Sequence, residues 1–290
     1  MVMMMKDNNE IISDIDNYIY KNFTVIDDYQ KKINESMIYS LSSGGKRVRA
    51  ILCVLSYMAI SGEEDFEKSL PYAAAIEIIH TYSLIHDDLP AMDDDDIRRG
   101  KPTNHKVFSE AIAVLAGDGL LNTAAELLSN NLENYLSDPE GLHRAVRAMK
   151  YIFNCSGVHG MIGGQVIDLE NEVEDNDDYF ENMYKLKTAA LIRSAIVSGA
   201  ILAGASSEDI VSLEDFSNCI GIAYQITDDL LDYEEDINKD KKTLSSIKSK
   251  EELEERISEL FEKAKTEIKS IDHDTDRLEE YVDSLMNRSK

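Results

Sequence analysis

Six aspartates fall within ten residues in the run His86-Asp87-Asp88-Leu89-Pro90-Ala91-Met92-Asp93-Asp94-Asp95-Asp96, and Arg98-Arg99-Gly100 follows almost at once. So many carboxylates repel one another in any compact structure, and two arginines offset only part of that charge. Acidic runs are most often solvated loops. Here, however, Tyr72 to His86 is apolar, rich in helix formers and free of glycine. Asp87 and Asp88 therefore close a helix of core character, an unusual way to deliver a solvated loop. Hard oxygen donors in this number suit Mg²⁺, which keeps several waters and bridges a few carboxylates to substrate phosphates. With guanidinium groups adjacent, the run fits a metal-and-arginine clamp for a diphosphate.

A second cluster, Gln225-Ile226-Thr227-Asp228-Asp229-Leu230-Leu231-Asp232, ends another apolar helical run. Residues three and four apart share a helix face. Gln225, Asp228, Asp229 and Asp232 thus fall on one stripe, with Ile226, Leu230 and Leu231 elsewhere. Two such clusters, each at the C-terminal end of an apolar helix, suggest facing walls of one metal site. Its candidate ligands are the aspartates of the two runs. Asp93 is the awkward member, because six residues of continuous helix rotate by roughly 240° and turn it away from Asp87. Pro90 interrupts the helix between them, so a bulge there is expected to bring Asp93 back.

These residues need elements to hold them. Residues 10–41 read as one or two helices, with Ile11, Ile15, Tyr18 and Ile19 at helical spacing. Ser42-Ser43-Gly44-Gly45 breaks the pattern, and Lys46 is expected to open a helix through Ala59. Two glycines before a helix free backbone N–H groups, so an anion can sit on its N-terminus with Lys46 and Arg49 on one face. A loop followed by surface basic residues fits the same spacing. The helix 72–86 carries His80, whose seven-residue separation from Asp87 is close to two turns and puts both on one face. His86 reads as a packing residue. Helices follow near 107–131, 140–157 and from Tyr184 to Ala203. Gly157 to Gly164 reads as a kink or a close helix contact, and residues 170–178 as a solvated acidic connector. Residues 248–290 read as one or two covering helices.

Composition bounds the rest. At 290 residues with four prolines and no tryptophan, and with no hairpin signals between apolar runs, the chain is expected to be all-α and a single domain over 1–290. A formal charge of −26 excludes a basic face for nucleic acid. It also means that any diphosphate pocket must invert the global sign locally. Cys53, Cys155 and Cys219 have no paired spacing and read as small buried hydrophobes. Met1-Val2-Met3-Met4-Met5 is too short for a signal-peptide core, and no run looks like a membrane span, so a soluble cytoplasmic protein without a membrane anchor is expected.

In order along the chain stand Gly44-Gly45-Lys46-Arg47-Val48-Arg49, the first aspartate cluster, Gly164-Gln165-Val166-Ile167-Asp168, Lys187-Thr188-Ala189-Ala190 and the second cluster. With these five segments in this order, the chain resembles the trans-isoprenyl diphosphate synthases, the family of farnesyl and geranylgeranyl diphosphate synthases. The first cluster looks like the family's first aspartate-rich motif in its two-residue-longer bacterial form, Asp87-Asp88 then Asp93, and the second like its second motif, so the resemblance implies Asp87, Asp88, Asp93, Asp228, Asp229 and Asp232 as the metal ligands. Ala50 stands where the family commonly has proline.

The resemblance implies an isoprenoid-synthase-type helical bundle around a central cavity, and head-to-tail prenyl transfer between isopentenyl diphosphate and allylic diphosphates such as dimethylallyl and geranyl. It implies three Mg²⁺ ions and a homodimer. Gly45, Lys46, Arg49, His80 and Arg99 would serve the isopentenyl diphosphate, and Arg98 the allylic diphosphate. Lys187 and Thr188 would act on the departing diphosphate, with Gln225 near the developing cation and Gln165 and Asp168 bordering the metals. Tyr82 and Ser83 would floor the product cavity. An aromatic there goes with fifteen carbons in the family, so mainly farnesyl diphosphate is expected, with geranylgeranyl or longer diphosphates as the alternative. Where the family has a long lysine- and glycine-containing loop after the second cluster, Tyr233 to Thr243 is short and lacks glycine, leaving Lys242 as its clamp. A terpene cyclase has no use for a second diphosphate pocket, and a non-catalytic synthase subunit would have lost its aspartates.

Overall fold

A computed structural model of the chain describes residues 6–23, 28–170, 177–231, 233 and 243–286. The regular structure of the described residues is helical, apart from one short two-stranded ribbon, as the composition implies. They form two compact units, one from Met1–Val54 with Glu64–Val146, the other from Leu55–Glu63 with Arg147–Lys290.

The first unit is built on α4 (Leu70–Asp87). Its side chains are apolar on nearly every face, from Tyr72 through Ala73, Ala74, Ala75, Ile76, Ile78 and Ile79. A helix of that kind has no solvent face to present and must be surrounded. It packs against α6 (Glu110–Asn131) and α1 (Asn8–Lys21). α1 starts with a capping box between Asp7 and Glu10 and buries Ile11, Ile15 and Ile19, one per turn. α2 (Lys31–Leu41) lies on α6. The first turns of α3 (Val48–Ser61), the short α5 (Asn104–Phe108) and the start of α7 (Pro139–Ser156) complete the unit. Its ribbon pairs β1 (Ile97–Arg98) antiparallel with β2 (Lys101–Pro102).

In the second unit the corresponding core helix is α10 (Ala190–Ala203), which runs on from α9 (Asp177–Tyr184) through a π-helical turn at Lys185–Ala189. α10 stops at Gly204, whose φ of +100° is a left-handed cap that favours glycine. α11 (Ser207–Leu231) packs on α10, and α12 (Lys250–Ile268) packs on α11. α8 (Met161–Glu170) lies on the π turn, and α13 (Asp276–Met286) reaches α11.

Two expectations change. The helix expected from Lys46 begins at Val48, and residues 44–47 are loop. Two helices, Glu110–Tyr135 and Asp177–Ala203, are long and apolar enough to cross a membrane by length and composition, although no such run was expected. The second is 72% buried over its most apolar window, which is how a core helix passes that test. The three cysteines are buried and free, as read. Of the acidic connector, residues 171–176 lie outside the described residues.

Candidate active site

α4 ends at Asp87, and the Asp88 N–H closes it on the Leu84 carbonyl at 3.1 Å. Leu89 and Pro90 then turn the chain back. The Asp93 N–H donates to the Asp87 carbonyl at 2.9 Å and the Asp94 N–H to that of Leu89 at 3.1 Å, with Asp94 at φ +52°. This is the bulge that the proline required, and it returns Asp93 to the end of the helix. Asp87 is half-buried and Asp93 exposed. Asp88 is buried, and Arg98 Nε donates to its Oδ1 at 2.5 Å. Burial raises the Asp88 carboxyl, while the Arg98 guanidinium pulls it back down. Arg98 also reaches Asp95 at 3.3 Å.

The ribbon turns at Arg99 (φ +53°) and Gly100 (φ +74°), the two positive values of a type I′ hairpin. That conformation sends the Arg99 guanidinium to the Gly44 carbonyl, to which it donates. It also lies against Gly45, where an added Cβ would come within 2.8 Å of Arg99 Nη1. Gly45 is thus needed for the close approach as well as for its φ of +144°.

The loop 44–47 corrects a further reading. Because α3 starts after it, Lys46, exposed, and Arg49, in the first turn, are not on one helix face. One N–H of the first turn of α3 is already taken, since Glu77, 4% exposed on α4, accepts the Ala50 N–H at 3.1 Å. Arg47, with φ +49°, turns inward instead of outward. It binds Asp16 at 2.8 Å and the Leu41 carbonyl at 2.9 Å, and lies 3.8 Å from Glu77.

Arg49 Nη1 lies 3.2 Å from His80 Nε2. A guanidinium only donates, so Nε2 must accept, and the ring is neutral with its proton on Nδ1. Burial first, and then Arg49, Arg99, Arg98 and Arg47, hold the His80 ring well below the usual histidine range, in keeping with that tautomer. Further along α4, Ser83 donates to the His80 carbonyl at 2.9 Å. Tyr82 is 6% exposed and packs edge-on to His86, and its hydroxyl meets no partner among the described residues. Burial pushes that hydroxyl up to about 12. His86 packs on α6, with Nε2 3.0 Å from the Val114 carbonyl and its ring where a side chain at Gly117 would go. Beside the first cluster, one ligand atom each from Asp94, Asp96 and His105 lie within 4.8 Å of one another. Asp96 there is paired with Lys106 at 2.6 Å.

In the second unit the π turn widens the helix where Lys187 and Thr188 stand, a form frequent at functional sites. Gly164 of α8 and Gly221 of α11 let their backbones press against it at Lys187 and Ala189. Lys187 Nζ pairs with Asp168 at 2.5 Å. Thr188 donates to Gln225 Oε1 at 2.7 Å, and Gln225 Nε2 donates to Asp229 Oδ1 at 3.0 Å. The other oxygen of Asp229 accepts from Tyr184, whose hydroxyl also receives the Leu244 N–H at 2.9 Å. Burial and the Asp229 charge raise the Tyr184 hydroxyl, which keeps its proton for donation. Asp229 is 4% exposed, whereas Asp228 and Gln165 are half-buried. Asp232 and Lys242 lie outside the described residues.

Sequence reasoning missed Glu77, Arg47, Asp16 and Tyr184. Glu77 had a signal, being an acid in an apolar helix one turn before His80; the others had none. The donor set fits a hard divalent cation: Asp87 and Asp93 are carboxylates brought together at a helix end, next to guanidinium groups that suit phosphate.

The profile of the polyprenyl synthetase family matches residues 30–273. The chain is 41% identical to the farnesyl diphosphate synthase of Bacillus subtilis (strain 168) over 273 residues, 90% of each chain. It is 44% identical over 231 residues to the large subunit 1 of the heterodimeric chloroplastic geranylgeranyl pyrophosphate synthase of Arabidopsis thaliana, covering 78% of this chain and 60% of that one. Among solved structures, an FPP/GFPP synthase from Zymomonas mobilis superposes with a TM-score of 0.84 at 34% identity, covering 97% of this chain and 96% of that one.

Proposed function

The chain belongs to the polyprenyl synthetase family, and on that premise we propose that it joins isopentenyl diphosphate head-to-tail to an allylic diphosphate. Farnesyl diphosphate is the main product in this reading, and geranylgeranyl diphosphate the alternative. One observation carries it. α4 bears His80, with Arg49 bonded to it, two turns before Asp87, so an anion pocket and an acidic cluster lie about 10 Å apart along one rigid element. That spacing suits two diphosphates bound side by side and is of no use to an enzyme with one.

Asp87 and Asp93, with Asp228, would hold Mg²⁺, three ions in this reading, and the metal supplies charge neutralisation on the allylic diphosphate and its leaving pyrophosphate. The protein's own groups do the rest. Lys46, Arg49 and Arg99 bind the isopentenyl diphosphate, and His80, being neutral, keeps the Arg49 guanidinium aimed without adding a competing charge. Lys187, held by Asp168, and Thr188, held by Gln225, orient the allylic diphosphate. Asp88 and Asp229, expected from the sequence as metal ligands, are buried and already bonded to Arg98 and to Tyr184 with Gln225, so in this reading they support the ligands beside them. The allylic C–O bond breaks and its electron pair leaves with pyrophosphate. The isopentenyl double bond attacks the allylic cation, and a proton from the carbon next to the new cation passes to pyrophosphate. Apolar side chains of α4 keep water from that cation.

We read the two units as one catalytic domain. Lys242 remains the candidate clamp on the allylic diphosphate. The exposed side chains Val158, Ile162, Val166 and Leu169 recur near helical spacing in and just before α8 and support a homodimer. Cytoplasmic location completes the reading. The test is incubation of purified protein with Mg²⁺, labelled isopentenyl diphosphate and dimethylallyl or geranyl diphosphate, followed by dephosphorylation and chromatography. A fifteen-carbon alcohol that disappears in EDTA is expected. No labelled product with any allylic partner, or a hydrocarbon formed from the allylic diphosphate alone, would overturn it.

A further inference from the structure

Glu77 is a buried carboxylate in a helix otherwise devoted to apolar packing, and neither the metal cluster nor substrate contact accounts for it. One of its oxygens accepts the Ala50 N–H in the first turn of α3 at 3.1 Å, and the other lies 3.8 Å from Arg47 Nη1. The first turn of a helix leaves backbone N–H groups without intrahelical partners, and a carboxylate there is favoured by the helix dipole. Glu77 therefore caps α3 from a different helix. Arg47, 5% exposed, is held between Glu77 and Asp16 and also ties down the Leu41 carbonyl at the end of α2. Its φ of +49° is costly for a residue with a side chain and persists only where the surroundings enforce it. Between Leu41 and Ala50 lie the two residues that have to meet a diphosphate, Lys46 and Arg49.

We propose that Glu77 and Arg47 are positioning residues for the isopentenyl diphosphate pocket, a buried pair that fixes loop 44–47 and the first turn of α3 so that Lys46 and Arg49 are aimed before substrate arrives. The inference rests on the proposed function for the identity of that substrate. Two physical effects of Glu77 oppose each other. As a negative charge near Arg47 and Arg99 it weakens the pocket's field for an anion, and as an anchor it preorganises the groups that bind one. Preorganisation matters more here, because a flexible lysine and arginine lose rotamer freedom on binding unless the backbone already aims them.

The sign of the response separates the two. Glu77→Gln keeps an oxygen for the Ala50 N–H and replaces the charged oxygen facing Arg47 with a neutral amide nitrogen that only donates. If Glu77 acted only through the field, this variant would bind anions more tightly. The anchor predicts the reverse: KM for isopentenyl diphosphate rises about tenfold or more, with kcat and the KM for the allylic diphosphate near wild type. Arg47→Gln should give the same selective loss, and the double variant should be no worse than either single one. Binding of isopentenyl diphosphate and of inorganic pyrophosphate is also measured in EDTA by titration calorimetry. Pyrophosphate binding reads the pocket even if wild type makes no prenyl product, an outcome that would sink the function but not Glu77. Tighter or unchanged binding in Glu77→Gln, an additive double variant, or equal effects on both substrates would overturn the proposal. Should Glu77→Gln fail to fold, Arg47→Gln alone decides by the same split.

Discussion

Gly164→Ala puts a single methyl between α8 and the π turn that carries Lys187. A Cβ built on Gly164 lies 2.6 Å from Lys187 Cα and 2.7 Å from the Leu186 carbonyl carbon, and closer still to the Lys187 nitrogen. All three are backbone atoms, so no rotamer change relieves the overlap and the two segments must part. Gly119→Ala on α6 makes a useful reference, because its Cβ meets only the Met37 sulfur at 2.8 Å, near the end of a flexible side chain. Both substitutions gain about 1 kcal/mol of helix propensity. Overpacking costs about 1–3 kcal/mol at Gly164, and little at Gly119. Gly119→Ala should therefore be neutral or stabilising by up to about 1 kcal/mol, whereas Gly164→Ala should be destabilising by up to about 2 kcal/mol. Activity separates them further, since a shift of about 1 Å in a group that orients the reacting diphosphate can cost about a hundredfold. Urea unfolding midpoints and kcat/KM for the allylic diphosphate measure both effects. If Gly164→Ala is as stable and as active as Gly119→Ala, the close contact at Lys187 is not what holds the π turn.

Lys46→Ala should raise KM for isopentenyl diphosphate far more than that for the allylic substrate, and Lys187→Ala should do the reverse or lower turnover; equal responses would dissolve the assignment of two pockets. Tyr82→Phe removes a buried hydroxyl that has no partner among the described residues, and should stabilise by about 1 kcal/mol in urea unfolding. Tyr82→Ala should lengthen the product to twenty carbons or more, read by chromatography, and unchanged length would place the floor at another residue. His80 is held well below the usual histidine range, so below pH about 6.5 the unfolded chain takes up a proton that the folded one refuses. The contribution is thus complete above that pH and lost as pH falls beneath it. Unfolding free energies of wild type and His80→Gln should keep a constant difference from pH 7 to 8, and that difference should shift against wild type towards pH 5.

How much of this was legible depended on whether the deciding interaction was local. α4 was readable because an unbroken apolar stretch with helix formers has few alternatives, and the bulge at Asp93 because Pro90 forbids the continuous helix. The start of α3 was not. Lys46 and Arg47 are good helix formers, and only Glu77, twenty-odd positions away, captures the Ala50 N–H and makes Val48 the first helical residue. The π turn was likewise out of reach, since an extra residue per turn at Lys185–Ala189 is tolerated because Gly164 and Gly221 leave room for it. Tyr184, one turn before Lys187, looks like any buried tyrosine until Asp229 and Leu244 are seen at its hydroxyl.

The same distinction explains how a chain of net charge −26 can present a site for two diphosphates. Arg47, Arg49, Arg98 and Arg99 all act electrostatically on His80, and Arg47, Arg98 and Arg49 act against the charge of Arg99 as well. They are held by different means. Arg47 is fixed by Asp16 and Glu77, Arg98 by Asp88 and Asp95, Arg99 by the Gly44 carbonyl, and Arg49 meets the neutral His80 ring. Carboxylates thus hold Arg47 and Arg98, and neutral acceptors meet Arg49 and Arg99, which serve the isopentenyl diphosphate in our reading. A carboxylate on Arg99 would have to be displaced by each incoming diphosphate; a carbonyl competes far more weakly and leaves most of the charge available. The local field can then oppose the global one without any of these arginines being disordered in advance.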